Sequence, residues 1–309
     1  IKGGNLLLFM KKDVLIIYLL WLTMDRFECP VILKWMGGKY EMSRRLIPMF
    51  FPHDVYYEPF FGGGSIFFRK KKCRYNVIND INSELVNLYR VICNDELFVK
   101  FQNLCKHTLA SRAMYNYTES YLKTPIATDS IGKDWERAVN YYYWMRTSFN
   151  GIAGAGFSTR NDNYPTWNLS LLELLDHARK KLNNVTIENV DIMDFIERYN
   201  KNLHNKKTFW YFDPPYIVAD KEKYYEYNFN KEMHKEFLKG IVALNENNHK
   251  IMISYDNVDW MKQMYKDAGF QINYINMRYS SSGQKGKKNK VEKELIITNY
   301  TPIQQEMLF

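Results

Sequence analysis

One acid and two prolines end an apolar run and form the most chemically suggestive stretch of the chain. TFWYFDPPYIVAD, residues 208–220, begins with aromatic residues typical of a buried strand. Two successive prolines cannot continue a strand ladder, so the chain must leave the sheet at Pro214 and Pro215. We therefore expect Asp213 and Tyr216 in a rigid turn at the carboxyl end of a strand, where open α/β sheets bind ligands.

This turn has the groups that an exocyclic amine would need to attack an electrophilic methyl group. The lone pair of such an amine is delocalised into the base, which makes the nitrogen a poor nucleophile. The Asp213 carboxylate and the Pro214 carbonyl could accept its hydrogens and favour a more tetrahedral nitrogen. Tyr216 would stack on the base, which would have to be flipped out of a duplex. For the acid and first proline alone, an ordinary Asp-Pro turn remains the alternative.

A glycine turn and a second acid indicate a nucleoside-like cofactor. EPFFGGGSIFF, residues 58–68, places Phe60, Gly62 and Gly64 directly after a predicted strand, where glycines let the backbone approach a ligand. Asp80 ends the next predicted strand, a position suited to accepting hydrogen bonds from ribose hydroxyls. Neither a G-x-G-x-x-G fingerprint nor a phosphate-loop Lys-Ser/Thr pair is present, so the sequence offers no convincing pyrophosphate cradle.

Basic residues point to a polyanionic partner. The formal net charge is +9 and the isoelectric point is about 9.1. Lys39 follows two glycines in KWMGGK, residues 34–39, and its ammonium could reach a carboxylate in a neighbouring site, although an exposed loop lysine is the more usual interpretation. RYSSSGQKGKKNKVEK, residues 278–293, is either a solvated loop or a basic hairpin that contacts DNA phosphates. In the hairpin interpretation the candidate phosphate contacts are Lys285, Lys287, Lys288 and Lys290.

Composition favours an intracellular protein without a metal site. The four cysteines form no C-x-x-C pair and the six histidines are scattered, so neither zinc ligands nor a disulfide framework is expected. The longest uncharged apolar run, residues 14–24, is too short to span a bilayer, so no membrane partner is expected. We interpret residues 1–27 as an N-terminal extension and hypothesise that Met24 is the functional start.

The order of predicted elements indicates an α/β, Rossmann-like fold with an inserted helical domain. Strands alternate with helices from residue 31 onward, which implies a mostly parallel sheet covered on both faces. A helix is expected after the glycine turn within residues 55–68, Ser83 is a plausible cap of the helix after Asp80, and a later helix places Met233, Phe237, Ile241 and Leu244 on one face. A polar, tyrosine-rich helical stretch interrupts this alternation. The predicted division is therefore residues 28–99 and 181–309 for the catalytic domain and 100–180 for the insertion.

With these pieces in order, the chain closely resembles the Dam-like, D12 class of DNA adenine-N6 methyltransferases. The resemblance covers about residues 31–300, and its specificity comes from the joint order of the motifs. These are KWMGGK, EPFFGGGSIFF, NVINDINSELVNLY, RTSFNG (146–151), NVDIMDF (189–195), FDPPY and KELIITNY (293–300).

The resemblance implies S-adenosylmethionine as cofactor and assigns roles by motif. Trp35, Lys39, Asp80 and Asp213 would belong to the cofactor site, with Asp213 also meeting the target amine. Phe60, Gly62 and Gly64 would flank the methionine moiety, and Asp191 and Ile192 would border the adenine ring. Asp213, Pro214 and Tyr216 would be the catalytic set.

The resemblance also implies double-stranded DNA as the partner and the insertion as its sequence reader. Arg146, Asn150 and Arg160 are the candidate base or phosphate contacts there. Whether a cognate restriction endonuclease accompanies the protein, and whether it acts as a monomer or a transient dimer on DNA, stays open.

Two alternatives remain at the level of sequence. Cytosine-N4 methylation uses the same exocyclic-amine chemistry, although enzymes of that type more often have Ser in place of Asp213. A catalytically silent nucleic-acid-binding module would tolerate a damaged cofactor site. The intact set of Lys39, Asp80 and Asp213 argues against it.

Overall fold

A seven-stranded sheet of order β3-β2-β1-β4-β5-β7-β6 forms the centre of the protein. The computed structural model describes residues 31–35, 37–158, 167, 170–201, 203, 206–215, 231–278 and 291–302. The strands are β1 Val55–Glu58, β2 Tyr75–Asn79, β3 Thr186–Glu188, β4 Thr208–Phe212, β5 Lys250–Asp256, β6 Gln271–Arg278 and β7 Val291–Thr298. β1 to β5 pair in parallel, and β7 runs antiparallel to both β5 and β6.

The strand order confirms the predicted α/β, Rossmann-like core and locates its ligand-binding edge. From β1 the chain moves outward to β2 and β3, and then returns to pair β4 on the other side of β1. This reversal makes the gap between β1 and β4 the topological switch point, beside whose carboxyl ends open sheets bind ligands. The glycine turn follows β1 and the Asp-Pro-Pro turn follows β4, so both motifs lie at this edge.

Helices cover both faces because alternate strand side chains point in opposite directions. In β4, Phe209 and Tyr211 enter one hydrophobic cluster, whereas Trp210 and Phe212 enter the other. The helices in the described part are α1 Ser43–Leu46, α2 Ser83–Cys93, α3 Asp95–His107, α4 Arg112–Leu122, α5 Trp135–Thr147, α6 Ser170–Leu182, α7 Ile192–Tyr199, α8 Lys231–Glu246 and α9 Asp259–Asp267. Short 3-10 turns occur at Ile47–Met49, Thr128–Ser130 and Phe149–Gly151.

Three local predictions from the sequence are wrong. Asn82, not Ser83, caps α2, since its side chain accepts from the backbone N–H of Leu85 at 3.1 Å. Met233 is 36% exposed and lies off the buried face of α8, where His234 packs instead. The helix predicted after the glycine turn within residues 55–68 does not form, and residues 65–69 instead make consecutive hydrogen-bonded turns. All ten residues of 61–70 are buried, so packing rather than helical propensity determines their backbone.

Helices α3 to α6 fall between β2 and β3 along the chain, and they contribute to the same hydrophobic cluster as one face of the sheet. Tyr142 of α5 and Leu175 of α6 belong to the same cluster as Tyr56 of β1. Residues 100 and 180, the expected limits of the insertion, both fall inside helices. The division into domains stays a prediction.

Two further sequence expectations concern the chain ends and membranes. Residues 1–27, which the sequence predicts to be an N-terminal extension, and Met24 within them lie outside the described residues. Within the described part, no helix has both the length and the apolar character needed to cross a membrane.

Candidate functional site

Asp213 is held from two sides at the end of β4. Lys39 Nζ donates to Asp213 Oδ1 at 2.6 Å, and Ser254 Oγ donates to the same oxygen at 3.2 Å. The Ser254 hydroxyl also contacts the Tyr211 hydroxyl at 2.8 Å, inside the sheet. Ser254 lies on β5, the neighbour of β4, so the sheet itself fixes this carboxylate.

Lys39 lies between two carboxylates that come from distant parts of the chain. Its Nζ is 3.5 Å from Glu294 Oε1 of β7 as well as 2.6 Å from Asp213. The Lys39 and Glu294 side chains are 4% and 3% exposed, whereas Asp213 keeps 20% of its side-chain surface open. Burial raises the pKa of the Asp213 carboxyl above its ordinary value, and the Lys39 ammonium opposes that rise. Of the three, Asp213 is the group best placed to meet a ligand.

The glycine turn after β1 joins Asp80 to Trp35. Gly62 has φ +49° and Gly64 has φ +67°, a left-handed backbone that glycine adopts readily. The Gly62 N–H donates to Asp80 Oδ2 at 2.7 Å. A Cβ on Gly62 would lie 2.6 Å from Trp35 Nε1, so the indole packs directly against the turn. Since Trp35 and Lys39 are four residues apart, one short segment connects the glycine turn with Asp213.

We expect Gly62→Ala to destabilise the protein by about 2–4 kcal/mol. The alanine would adopt a left-handed backbone, which costs roughly 1–2 kcal/mol, and would also press on Trp35. Gly269→Ala is the matched control, because Gly269 has φ +83° and nothing within 4 Å of an added Cβ. Chemical denaturation of both variants measures the difference. An equal decrease in the free energy of unfolding of Gly62→Ala and Gly269→Ala would show that the indole does not pack against the turn.

Asp80 lies where β2 ends, and its carboxylate is built into the backbone. Its Oδ1 accepts from the N–H of Asn82 at 2.9 Å, and its own carbonyl accepts from the Asn189 amide at 2.8 Å. Burial raises the pKa of Asp80 to about 6, although backbone N–H groups from Asn82, Gly62 and Ile81 partly oppose the shift. These bonds fix the carboxylate beside the glycine turn.

The remaining predicted cofactor residues take defined structural positions. The Asp191 side chain caps α7 by accepting from the Met193 N–H at 2.8 Å, and Ile192 is buried beside it. The Asn79 side chain bonds both N–H and carbonyl of Val190, at 3.0 Å each, and so ties this segment to β2. The Phe60 ring packs edge-on against Phe212 and Phe237. Their roles toward a cofactor stay predictions.

Glu58 is a buried acid that was not singled out in the sequence. It ends β1, is 2% exposed, and accepts from the Tyr56 hydroxyl at 2.8 Å. Burial raises its pKa to about 8, which the Tyr56 bond and the nearby Lys70 charge partly oppose. The carboxyl group is therefore mostly protonated at pH 7.

Glu58 should make stability fall with rising pH. Between pH 4.5 and 8 the folded chain keeps a proton on Glu58 that the unfolded chain has released. The free energy of unfolding from this group therefore decreases as pH rises, by up to about 1.4 kcal/mol per pH unit. Glu58→Gln keeps an acceptor for Tyr56 but cannot titrate. Urea denaturation measures the free energy of unfolding of both proteins from pH 5 to 8.5. The difference between wild type and Glu58→Gln should change with pH, and a difference that stays constant would contradict the prediction.

The candidate DNA contacts are only partly covered by the structure. Arg146 is half-buried, and its Nη1 donates to the Ile32 carbonyl at 3.3 Å, near the segment that carries Trp35. The Asn150 side chain, Arg160 and Tyr216 lie outside the described part. The same holds for the four lysines of the basic segment, Lys285, Lys287, Lys288 and Lys290.

Ser254 and Glu294 are functional candidates that sequence reasoning missed. Both lie on strands that were predicted correctly, in KIMISY (250–255) and KELIITNY (293–300). Their polar side chains within otherwise apolar strands were the available signal, since a buried polar group needs a partner.

Comparisons with known proteins agree on one family. The model of the D12 class N6 adenine-specific DNA methyltransferases matches residues 35–281. The Type II methyltransferase M1.LlaDCHI of Lactococcus lactis subsp. cremoris is 29% identical over 284 residues, covering 86% of this chain and 94% of the relative. The DNA adenine methylase of Escherichia coli strain K12 is 25% identical over 281 residues, covering 86% and 94%.

Proposed function

Since the chain belongs to the D12 class N6 adenine-specific DNA methyltransferases, it methylates adenine N6 in DNA, and we propose that Asp213 and Pro214 bind that amine. The observation that carries the proposal is the Asp213 carboxylate, fixed by Lys39 and Ser254 yet still partly open at the switch point. Such a preorganised acceptor needs no rearrangement when the amine arrives.

The chemistry of this chain's own residues follows from that placement. The Asp213 carboxylate and the Pro214 carbonyl accept the two amine hydrogens and turn the nitrogen lone pair toward the methyl donor. As the methyl group is transferred, the nitrogen becomes more positive, and the negative carboxylate stabilises it until the amine releases one of its protons. Tyr216 stacks on the base, which is reached by flipping it from the duplex. No covalent enzyme intermediate is required.

The methyl donor that fits the site is S-adenosylmethionine, which supplies an electrophilic methyl group when bound. Asp80 provides an acceptor for ribose hydroxyls beside a glycine turn on which Trp35 leaves no room for a Cβ. Trp35, Lys39, Phe60, Gly62, Gly64, Asp80, Asp191 and Ile192 would hold this cofactor. A phosphate-loop lysine does not follow the turn, which fits a nucleoside without a pyrophosphate.

DNA would be read by the helical insertion and by the basic segment. Arg146, Asn150 and Arg160 are proposed to contact bases or phosphates, and the lysines of residues 285–290 would contact the backbone. The protein would act inside the cell, as a monomer or a transient dimer on DNA, with or without a cognate endonuclease.

Methylation with labelled S-adenosylmethionine and mixed-sequence DNA tests the proposed donor and product. After digestion to nucleosides, the label should be on N6-methyladenine. Label confined to N4-methylcytosine, or no transfer from this donor, would contradict the proposal.

A binding titration tests the cofactor site without relying on turnover. Asp80→Ala should weaken S-adenosylmethionine binding about ten- to a hundredfold, because charge-assisted hydrogen bonds are worth roughly 1.5–3 kcal/mol. Asp95→Ala is the control, since Asp95 is an exposed acid in the first turn of α3. ATP, which carries phosphates, should compete poorly. Unchanged affinity in Asp80→Ala would place the ribose elsewhere.

A further inference from the structure

The Asp-Pro-Pro turn has carbonyl acceptors but lacks the donors that normally fix a backbone. Pro214 and Pro215 have no N–H, so only their carbonyls can be bound. The Pro215 carbonyl accepts from the Tyr255 hydroxyl at 2.7 Å. The Pro214 carbonyl accepts no hydrogen bond from the described residues. The Pro214 carbonyl is therefore the acceptor that a ligand could use, whereas the Pro215 carbonyl is bonded by the Tyr255 side chain.

Tyr255 and Ser254 hold the turn from opposite faces of the sheet. They are consecutive in β5, and consecutive strand side chains point to opposite faces. Tyr255 packs in the cluster that contains Phe212, whereas the Ser254 hydroxyl contacts Tyr211 of the other cluster. Ser254 bonds the acid of the turn and Tyr255 bonds its second proline. Two consecutive residues of β5 therefore bond the first and the third residue of the turn.

His234 orients the Tyr255 hydroxyl. Its Nε2 lies 2.8 Å from that hydroxyl, and the side chain is buried in α8. Tyrosine has one proton, and the Pro215 carbonyl can only accept, so Tyr255 donates to Pro215 and accepts from His234. His234 must therefore carry its proton on Nε2. Its ring is held edge-on between Tyr255 and Trp260, with centroids 5.3 and 5.8 Å away.

We propose that Tyr255, oriented by His234, is a positioning residue for methyl transfer. It holds the Pro215 carbonyl so that the neighbouring Pro214 carbonyl and Asp213 carboxylate converge on the target amine. The inference rests on the proposed function of Asp213 and Pro214. Removing the hydroxyl should slow the chemical step while leaving cofactor and DNA binding intact, because neither ligand needs that bond to bind.

Tyr255→Phe tests this role with a matched control. We expect the single-turnover rate of methyl transfer to fall between about ten- and a hundredfold, as for a misplaced reacting group. The Kd for S-adenosylmethionine and the KM for DNA should stay within about twofold. Tyr300→Phe is the control, since the Tyr300 hydroxyl also donates to a backbone carbonyl, that of Met49 at 2.9 Å. Its rate should match the wild type.

A double-mutant cycle tests whether His234 acts through Tyr255. His234→Gln keeps a donor near Nε2 and should retain most of the rate, whereas His234→Ala should lose as much as Tyr255→Phe. Combining His234→Ala with Tyr255→Phe should give no further loss. If Tyr255→Phe does not fold, the rates of His234→Ala and His234→Gln are compared instead, and only His234→Ala should be slowed.

Two results would overturn the inference: a Tyr255→Phe rate within about twofold of wild type, or an equal loss in Tyr300→Phe. Fully additive losses in the cycle would overturn the part assigned to His234. Failure of the proposed function is distinct, because Asp213→Ala would then label adenine as fast as the wild type, whatever the rate of Tyr255→Phe.

Discussion

Asp213→Ala is expected to lower the rate of methyl transfer about a hundred- to a thousandfold, a larger effect than that of Tyr255→Phe. The carboxylate is the charged acceptor at the turn, and its loss removes both the hydrogen bond that orients the amine and the charge that stabilises the developing positive nitrogen. Residual activity would come from binding and from the Pro214 carbonyl. Transfer of label from S-adenosylmethionine to adenine measures the rate.

Two further variants separate charge from bulk at this position. Asp213→Asn keeps an oxygen acceptor but loses the charge, so its rate should lie between those of wild type and Asp213→Ala. Asp259→Ala removes an exposed acid from the start of α9 and should leave the rate unchanged. Undiminished adenine labelling by Asp213→Ala would refute its role as the amine acceptor.

The motifs that were predicted from sequence are those whose signal is local. Two prolines after an aromatic run must end a strand, whatever the rest of the chain does. Three consecutive glycines before an apolar stretch indicate a tight turn, and φ values of +49° and +67° at Gly62 and Gly64 bear this out. The parallel sheet follows from the alternation of strands and helices. The carboxyl ends of β1 and β4 then meet at one edge, which brings the two motifs together.

The supporting residues could not be predicted because their partners are far away in the sequence. Glu294 meets Lys39 only because β7 inserts between β5 and β6. Tyr255 reaches Pro215 only because β4 and β5 are neighbours. Such contacts depend on register, and a slip of one residue would turn each side chain to the other face. The sequence allowed Lys39 to reach a carboxylate, but it favoured an exposed loop lysine and did not identify Asp213 and Glu294 as the partners.

The error at Ser83 has a related cause. Asn82 and Ser83 both have side chains that can cap a helix, and local propensity cannot choose between them. Asn82 is the cap in the structure, and the Ser83 hydroxyl donates instead to Asn189 Oδ1, at 3.0 Å. That bond ties the start of α2 to the segment after β3, a contact between residues more than a hundred positions apart.

Lys39→Met should produce the largest loss of stability, about 3–5 kcal/mol in the free energy of unfolding. Lys39 lies 2.6 Å from Asp213 and 3.5 Å from Glu294, so its removal leaves two acids close together without the cation between them. A methionine of similar length fills the space without restoring the charge. Lys262→Met removes the cation of a pair with the exposed Asp259 and should leave stability nearly unchanged.

The pH dependence of Lys39→Met separates lost charge from lost packing. Burial already raises the pKa of Asp213, and the Lys39 ammonium is the main opposing influence, so the variant should raise that pKa further. Protonation relieves the uncompensated charge, and the stability gap between wild type and variant should therefore narrow as pH falls. Methyl transfer needs ionised Asp213, so the acid limb of the rate profile should move to higher pH. Denaturation from pH 5 to 9 measures the stability difference between wild type and Lys39→Met, and single-turnover rates over the same range measure the acid limb. A stability difference that does not depend on pH would assign the lost stability to packing.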